Sequence, residues 1–68
     1  MHRGTIVSLQ LDRGFGFIFE KQGEPDIFFH AKDVVGVEFN ERLKERRVQF
    51  DVVTTDKGPR AANVQPAE

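Results

Sequence analysis

Two short aromatic stretches carry the side chains with chemistry to offer: Arg13-Gly14-Phe15-Gly16-Phe17-Ile18-Phe19 and Asp26-Ile27-Phe28-Phe29-His30. In an extended chain alternate residues face opposite ways, so Phe15, Phe17 and Phe19 share one face while Gly16 and Ile18 share the other. In the second stretch Phe28 and His30 share a face, opposite Ile27 and Phe29. Paired antiparallel, the two stretches present one face of aromatic rings and one face of core side chains. Flat rings on a rigid sheet are what unpaired nucleobases need, since every base has a π-face that stacks whatever its identity. Gly14 and Gly16 remove side chains where a ligand or another backbone can approach closely. The competing use of such rings is to fill a core, but Ile18, Ile27 and Phe29 already supply that face.

His30 invites a catalytic or metal-binding reading as well. Asp26 shares its parity, so a base with an orienting carboxylate is conceivable, yet no nucleophile or second acid stands at a telling position. Cysteine is absent, and His2, the only other histidine, is expected in a mobile terminus. Metal-ligand clustering is therefore missing. The residues point to an imidazole that stacks on and hydrogen-bonds a base, and to a chain that is no enzyme and needs no cofactor or metal.

The elements that must position these rings read as short strands. Gly4 to Leu11 is rich in β-formers, but Thr5, Val7, Leu9 and Leu11 share one parity and Ile6 has the other. That break predicts a bulge or a sharp bend. Asp12-Arg13-Gly14 is a turn leading to a strand over Phe15–Glu20, and Lys21 to Pro25 is a polar turn before a strand over Asp26–His30. Residues 31–37 read as a turn and irregular loop. Residues 38–47 have the propensities of a short helix, with Phe39 and Leu43 four apart. Val48 to Val52 alternates strictly, with Val48, Phe50 and Val52 facing inward. Thr54 to Pro59 is a turn or loop, Arg60 to Val64 a last strand, and Gln65 to Glu68 a frayed tail. Five strands in 68 residues predict an all-β fold and a small closed barrel.

Bulk properties agree. A chain of 68 residues with 38% hydrophobic and 31% charged side chains is expected to form one small soluble domain spanning residues 1–68. No apolar run approaches the roughly 20 residues of a membrane span. Met1-His2-Arg3-Gly4 lacks the apolar segment of a secretory signal, which makes a cytoplasmic location the expectation. A net charge of -1 argues against binding duplex DNA by blanket phosphate neutralisation. Stacking with a few local cations is compatible with it, and predicts a shallow salt dependence.

With these residues in view, the chain resembles the bacterial cold-shock domain. The resemblance rests on Arg13-Gly14-Phe15-Gly16-Phe17-Ile18, on Asp26-Ile27-Phe28-Phe29-His30 and on Lys57-Gly58-Pro59-Arg60-Ala61-Ala62-Asn63-Val64, in that order and spacing. It implies a five-stranded antiparallel OB-fold barrel that binds single-stranded RNA or DNA. It further implies that Phe15, Phe17, Phe28 and His30 stack on bases, that Phe39 reaches in from the long loop, and that Arg13, Asp26 and Lys57 contact backbone or base edges. Arg60 adds a cation beside Lys57, suited to clamping a phosphate or stacking on a base.

The departures are as specific. Where the family usually has Lys-Trp-Phe-Asn, this chain has Val7-Ser8-Leu9-Gln10, and after the histidine Ala31 replaces an exposed aromatic. Each lost stacked ring typically costs ~1–3 kcal/mol per base, so the two together lower affinity by roughly two to four orders of magnitude. Phe19 shares the parity of Phe15 and Phe17 where the family commonly has a polar residue, and is a candidate to compensate in part. Glu45 stands where the family tends to have glycine.

These readings converge on low-specificity single-strand binding by a monomer or weak homodimer, in the role of an RNA chaperone or transcript regulator. The rival is a protein-interaction or dimerisation module on the same barrel, its nucleic-acid platform eroded at Ser8 and Ala31.

Overall fold

Every segment read as a strand forms one in the computed structural model, which describes residues 2–67. The strands are β1 (His2–Gln10), β2 (Phe15–Phe19), β3 (Ile27–His30), β4 (Arg47–Thr55) and β5 (Gly58–Pro66). They close into a barrel in the order β1-β2-β3-β5-β4, and β4 returns to β1. Four of the pairings are antiparallel, as expected. The fifth, between β3 and β5, is parallel and is made at Phe28 and Arg60. The odd strand count requires this, because directions cannot alternate all the way round a ring of five.

The irregularity expected in the first strand lies at Val7. Ile6 faces Ile18 across the β1–β2 ladder and Ser8 faces Phe17, leaving Val7 as the extra residue. A bulge of this kind exchanges the parity of the residues after it. Ile6 is thereby fully buried, Leu9 packs against the core and Val7 is exposed. Before the bulge β1 pairs with β4 (Gly4 with Val48), and from Thr5 onward it pairs with β2.

All five strands feed one core, with Ile6, Ile18, Phe29, Phe50 and Val64 among its buried side chains. One of its tight backbone approaches is at Gly16. A Cβ there would lie 2.6 Å from the Ser8 carbonyl oxygen and 2.8 Å from Cε1 of Phe29. The missing side chain therefore serves the core and the neighbouring β1 backbone, and leaves no opening for a ligand on that face.

Four expectations require correction. Thr54 to Pro59, read as a turn or loop, narrows to a two-residue turn at Asp56 and Lys57, because Thr54 pairs with Pro59 and Thr55 with Gly58 across β4 and β5. Residues 38–47 form no helix beyond a single 3-10 turn over Glu41–Leu43, capped by Asn40, whose side-chain oxygen accepts from the Arg42 N–H at 2.9 Å. The following backbone bonds to β1 instead of continuing the turn. The Glu45 N–H donates to the Ile6 carbonyl at 2.7 Å, and the Ile6 N–H donates to the Arg46 carbonyl at 3.0 Å. A strand edge with free polar groups outcompetes weak helix propensity here. The supposedly frayed tail continues β5 to Pro66, paired with Val48; Glu68 lies outside the described residues. His2 belongs to β1, where its ring stacks on Phe50 at 5.8 Å and its Nδ1 lies 2.6 Å from the Glu20 carboxylate. The other connections are short: Ala31–Asp33 is a 3-10 turn, and Val35 ties the loop to β5 through the Val64 carbonyl at 2.7 Å.

Two substitutions test this packing. Gly16→Ala should lower stability by about 1–3 kcal/mol in chemical denaturation, since neither the Ser8 carbonyl nor the buried Phe29 ring has room to yield. Glu45 holds a left-handed φ of 65°, so Glu45→Gly should raise the denaturation midpoint, by up to about 1 kcal/mol in stability.

Candidate nucleic-acid interface

Strand register assembles the ring-bearing face. Gln10, Phe15 and His30 form one row across β1, β2 and β3. Ser8, Phe17, Phe28, Arg60 and Val53 form the next, running through β5 to β4. Directly paired residues point the same way, so both rows face outward. Phe15, Phe17 and Phe28 meet as a triad, with centroids 6.0 Å apart for Phe15–Phe17, 5.7 Å for Phe15–Phe28 and 5.9 Å for Phe17–Phe28. Edge and tilted contacts hold the rings half-buried against one another and leave apolar faces open to solvent.

His30 is held by its own backbone turn. Its Nδ1 accepts the Lys32 N–H at 3.1 Å, and its backbone N–H donates to the Asp33 carboxylate at 2.9 Å. Together they form a capping box at the start of the 3-10 turn. With Nδ1 accepting, the neutral ring carries its proton on Nε2 and offers a donor there. Gly14, at a φ of 77°, brings the β1–β2 turn beside this ring, and the Gly14 carbonyl accepts the Ala31 N–H at 2.8 Å.

Asp33 also takes the Arg60 guanidinium, from Nε at 3.1 Å and from one terminal nitrogen at 2.9 Å. The sequence reading missed Asp33. The spacing of a cap residue followed three positions later by an acidic side chain was the available signal, obscured because His30 is an unusual cap. The ion pair changes what Arg60 can do, since its charge is already matched and its fork geometry already used.

The remaining predicted residues divide clearly. Arg13 is exposed in the β1–β2 turn, Asp26 is exposed just ahead of β3, and Lys57 is exposed in the β4–β5 hairpin turn. Lys57 and Phe28 both line a cleft of about 590 Å³ whose other walls include Thr55, Pro59 and Arg60. Phe19 lies on the ring face, 40% exposed, and makes no ring contact with the triad among the described residues. Phe39 is not brought to the triad. Its ring packs edge-on against the core residue Phe29 at 6.1 Å, because the long loop folds against the barrel through Leu43 rather than over the ring face. Ser8, beside Phe17, and Ala31, after His30, leave the platform without side-chain bulk at two of its margins.

Among the described residues no group of three or more His, Cys, Asp or Glu side chains is placed to hold a metal ion. No helix is long and apolar enough to cross a membrane.

Comparison with known proteins agrees with this geometry. A family model described as the "'Cold-shock' DNA-binding domain" matches residues 2–67. The chain is 41% identical to a cold shock-like protein of Aquifex aeolicus, over 93% of this chain and 90% of that one. It is 36% identical to cold shock protein ScoF of Streptomyces coelicolor, over 98% and 100%. Among solved structures it is similar to drosophila Unr CSD456, with a TM-score of 0.76 at 26% identity, covering 98% of this chain and 26% of that longer one. The five-stranded OB barrel, its outward phenylalanine triad and relatives matched over nearly their whole length lead to one conclusion: the chain belongs to the cold-shock DNA-binding domain family.

Proposed function

We propose that residues 1–68 act as one domain that binds single-stranded RNA or DNA by stacking bases on Phe15, Phe17, Phe28 and His30, without catalysis. The observation that carries this reading is the triad itself. Three phenylalanine rings in mutual contact lie outside a barrel that already has a separate core. Phenylalanines held this way are preorganised for a stacked ligand, because their rotamer freedom is already spent before binding. The Nε2 donor of His30 supplies a hydrogen bond to a base acceptor, Asp26 an acceptor for base N–H groups, and Arg13 and Lys57, in no ion pair among the described residues, charge for the phosphates. Arg60 serves chiefly to brace Asp33 and the His30 turn.

Family membership supports nucleic-acid binding as the class of activity; the cellular role follows from mass action. A protein that binds unpaired strands and not duplex draws a hairpin toward its open form without ATP. Few stacking contacts make for ready release, which suits an RNA chaperone or transcript regulator working in the cytoplasm as a monomer or weak homodimer.

Titration with heptameric oligo-dT and oligo-U, against a duplex control and followed by amide NMR shifts, should give saturable changes centred on Phe15, Phe17, Phe28, His30 and Lys57. Phe17→Ala should weaken binding roughly 5- to 150-fold. No response at millimolar oligonucleotide would refute the reading and favour a protein-interaction module. Because Ser8 lies directly across from Phe17, Ser8→Trp should extend the platform and tighten oligo-dT binding by a factor in the same range, measured for both proteins by anisotropy of end-labelled oligo-dT.

A further inference from the structure

We propose that this barrel carries a bound strand beyond the triad, to an added subsite in which Phe19 stacks a base and Arg47 and Arg3 hold its phosphates. The proposal rests on the platform reading above and extends it to residues that reading does not use. Phe19 stands one two-residue step beyond Phe17 on the same face of β2, about 6.6 Å on, the same step that separates Phe17 from Phe15. It is 40% exposed.

The β1 bulge places the cations. Thr5 pairs with Phe19 on one side and with Arg47 of β4 on the other, so the three form a single outward row across three strands. Arg3 lies two residues before Thr5 on the same face, paired with Gln49. Arg3 and Arg47 are exposed, and among the described residues neither takes part in an ion pair. Thr5, half-buried and small, puts no bulk between ring and guanidinium. At the strand spacing of a sheet, Arg47 lies roughly 10 Å from Phe19 at the backbone, a distance its side chain and one nucleotide span.

The acids are disposed to match. Glu20, next in sequence to Phe19, has the opposite parity, and its carboxylate is engaged by the His2 ring at 2.6 Å. Asp26 flanks β2 on the β3 side and disfavours phosphate there, which directs the backbone toward β1 and β4. A lone exposed phenylalanine is ordinary on a protein surface. One that continues the ring-bearing side of β2 and shares its face with Arg3 and Arg47, neither ion-paired among the described residues, has the makings of a strand-binding step. The occupant is a single-stranded nucleic acid, by continuity with the triad and by charge.

The test compares wild type, Phe19→Leu, Arg47→Gln and Phe17→Ala against oligo-dT of increasing length, from four to ten nucleotides, by anisotropy of end-labelled strands at several salt concentrations. Affinity should rise with length to a plateau. Phe19→Leu should leave the shortest strands unaffected and weaken the longer ones roughly 5- to 150-fold, reaching its plateau one nucleotide earlier. Arg47→Gln should reduce the salt slope by about 0.7, again for the longer strands alone. Phe17→Ala should weaken binding at every length. If Phe19→Leu and Arg47→Gln both track the wild-type length curve while Phe17→Ala still loses affinity, the added subsite is overturned and the platform stands. A loss on Phe19→Leu that is the same at every length likewise overturns a separate subsite. If Phe17→Ala binds as wild type does, the platform reading fails and the extension falls with it.

Discussion

The structure depends on the seating of the Phe29 ring against the bare backbone of Gly16. In a chain this short the core is one layer of side chains deep, and the wall of a five-stranded barrel must close tightly around it. Any side chain at residue 16 would collide with Phe29 and with the carbonyl of Ser8. Because that contact is filled from inside by Phe29, Ile18 and Ile27, the alternate residues of the same two strands are released to the outside. Phe15, Phe17 and Phe28 face outward, half-buried against one another, as a consequence of a core that is complete without them.

Exposing three aromatic rings forgoes hydrophobic stabilisation, and the barrel limits that loss by letting the rings shield one another. The polar partners are secured separately. His30, Asp33 and Arg60 form a chain of hydrogen bonds that joins the end of β3 to β5 at the place where the barrel closes in parallel. A single parallel pairing is a thin seam, and a bidentate ion pair beside it braces both the seam and the imidazole.

Charge shows the same separation of local from global properties. The net charge is -1, yet Glu24 is matched by Lys21 and Asp33 by Arg60, and the Glu20 carboxylate is held by the His2 ring. Arg13, Lys57, Arg3 and Arg47 have no such partner among the described residues. A slightly acidic protein therefore presents unmatched cations around its aromatic face, and it is the local field at that face that a phosphate chain meets.

The class of fold, the aromatic face and the family resemblance were legible in the residues alone, because period-two alternation and motifs of adjacent residues are local properties. Phe15, Phe17 and Phe28 share a face in any pairing of those strands. Whatever depends on partners distant in the chain was settled by the folded barrel. The side taken by Ile6 turned on a bulge at Val7, and the fate of residues 38–47 on the free edge of β1. Phe39 went to Phe29 and not to the platform, and Arg60 to Asp33, 27 residues away. Propensity favoured a helix at 38–47, but backbone groups bond where the nearest unsatisfied partner lies, and that is fixed by how the barrel closes.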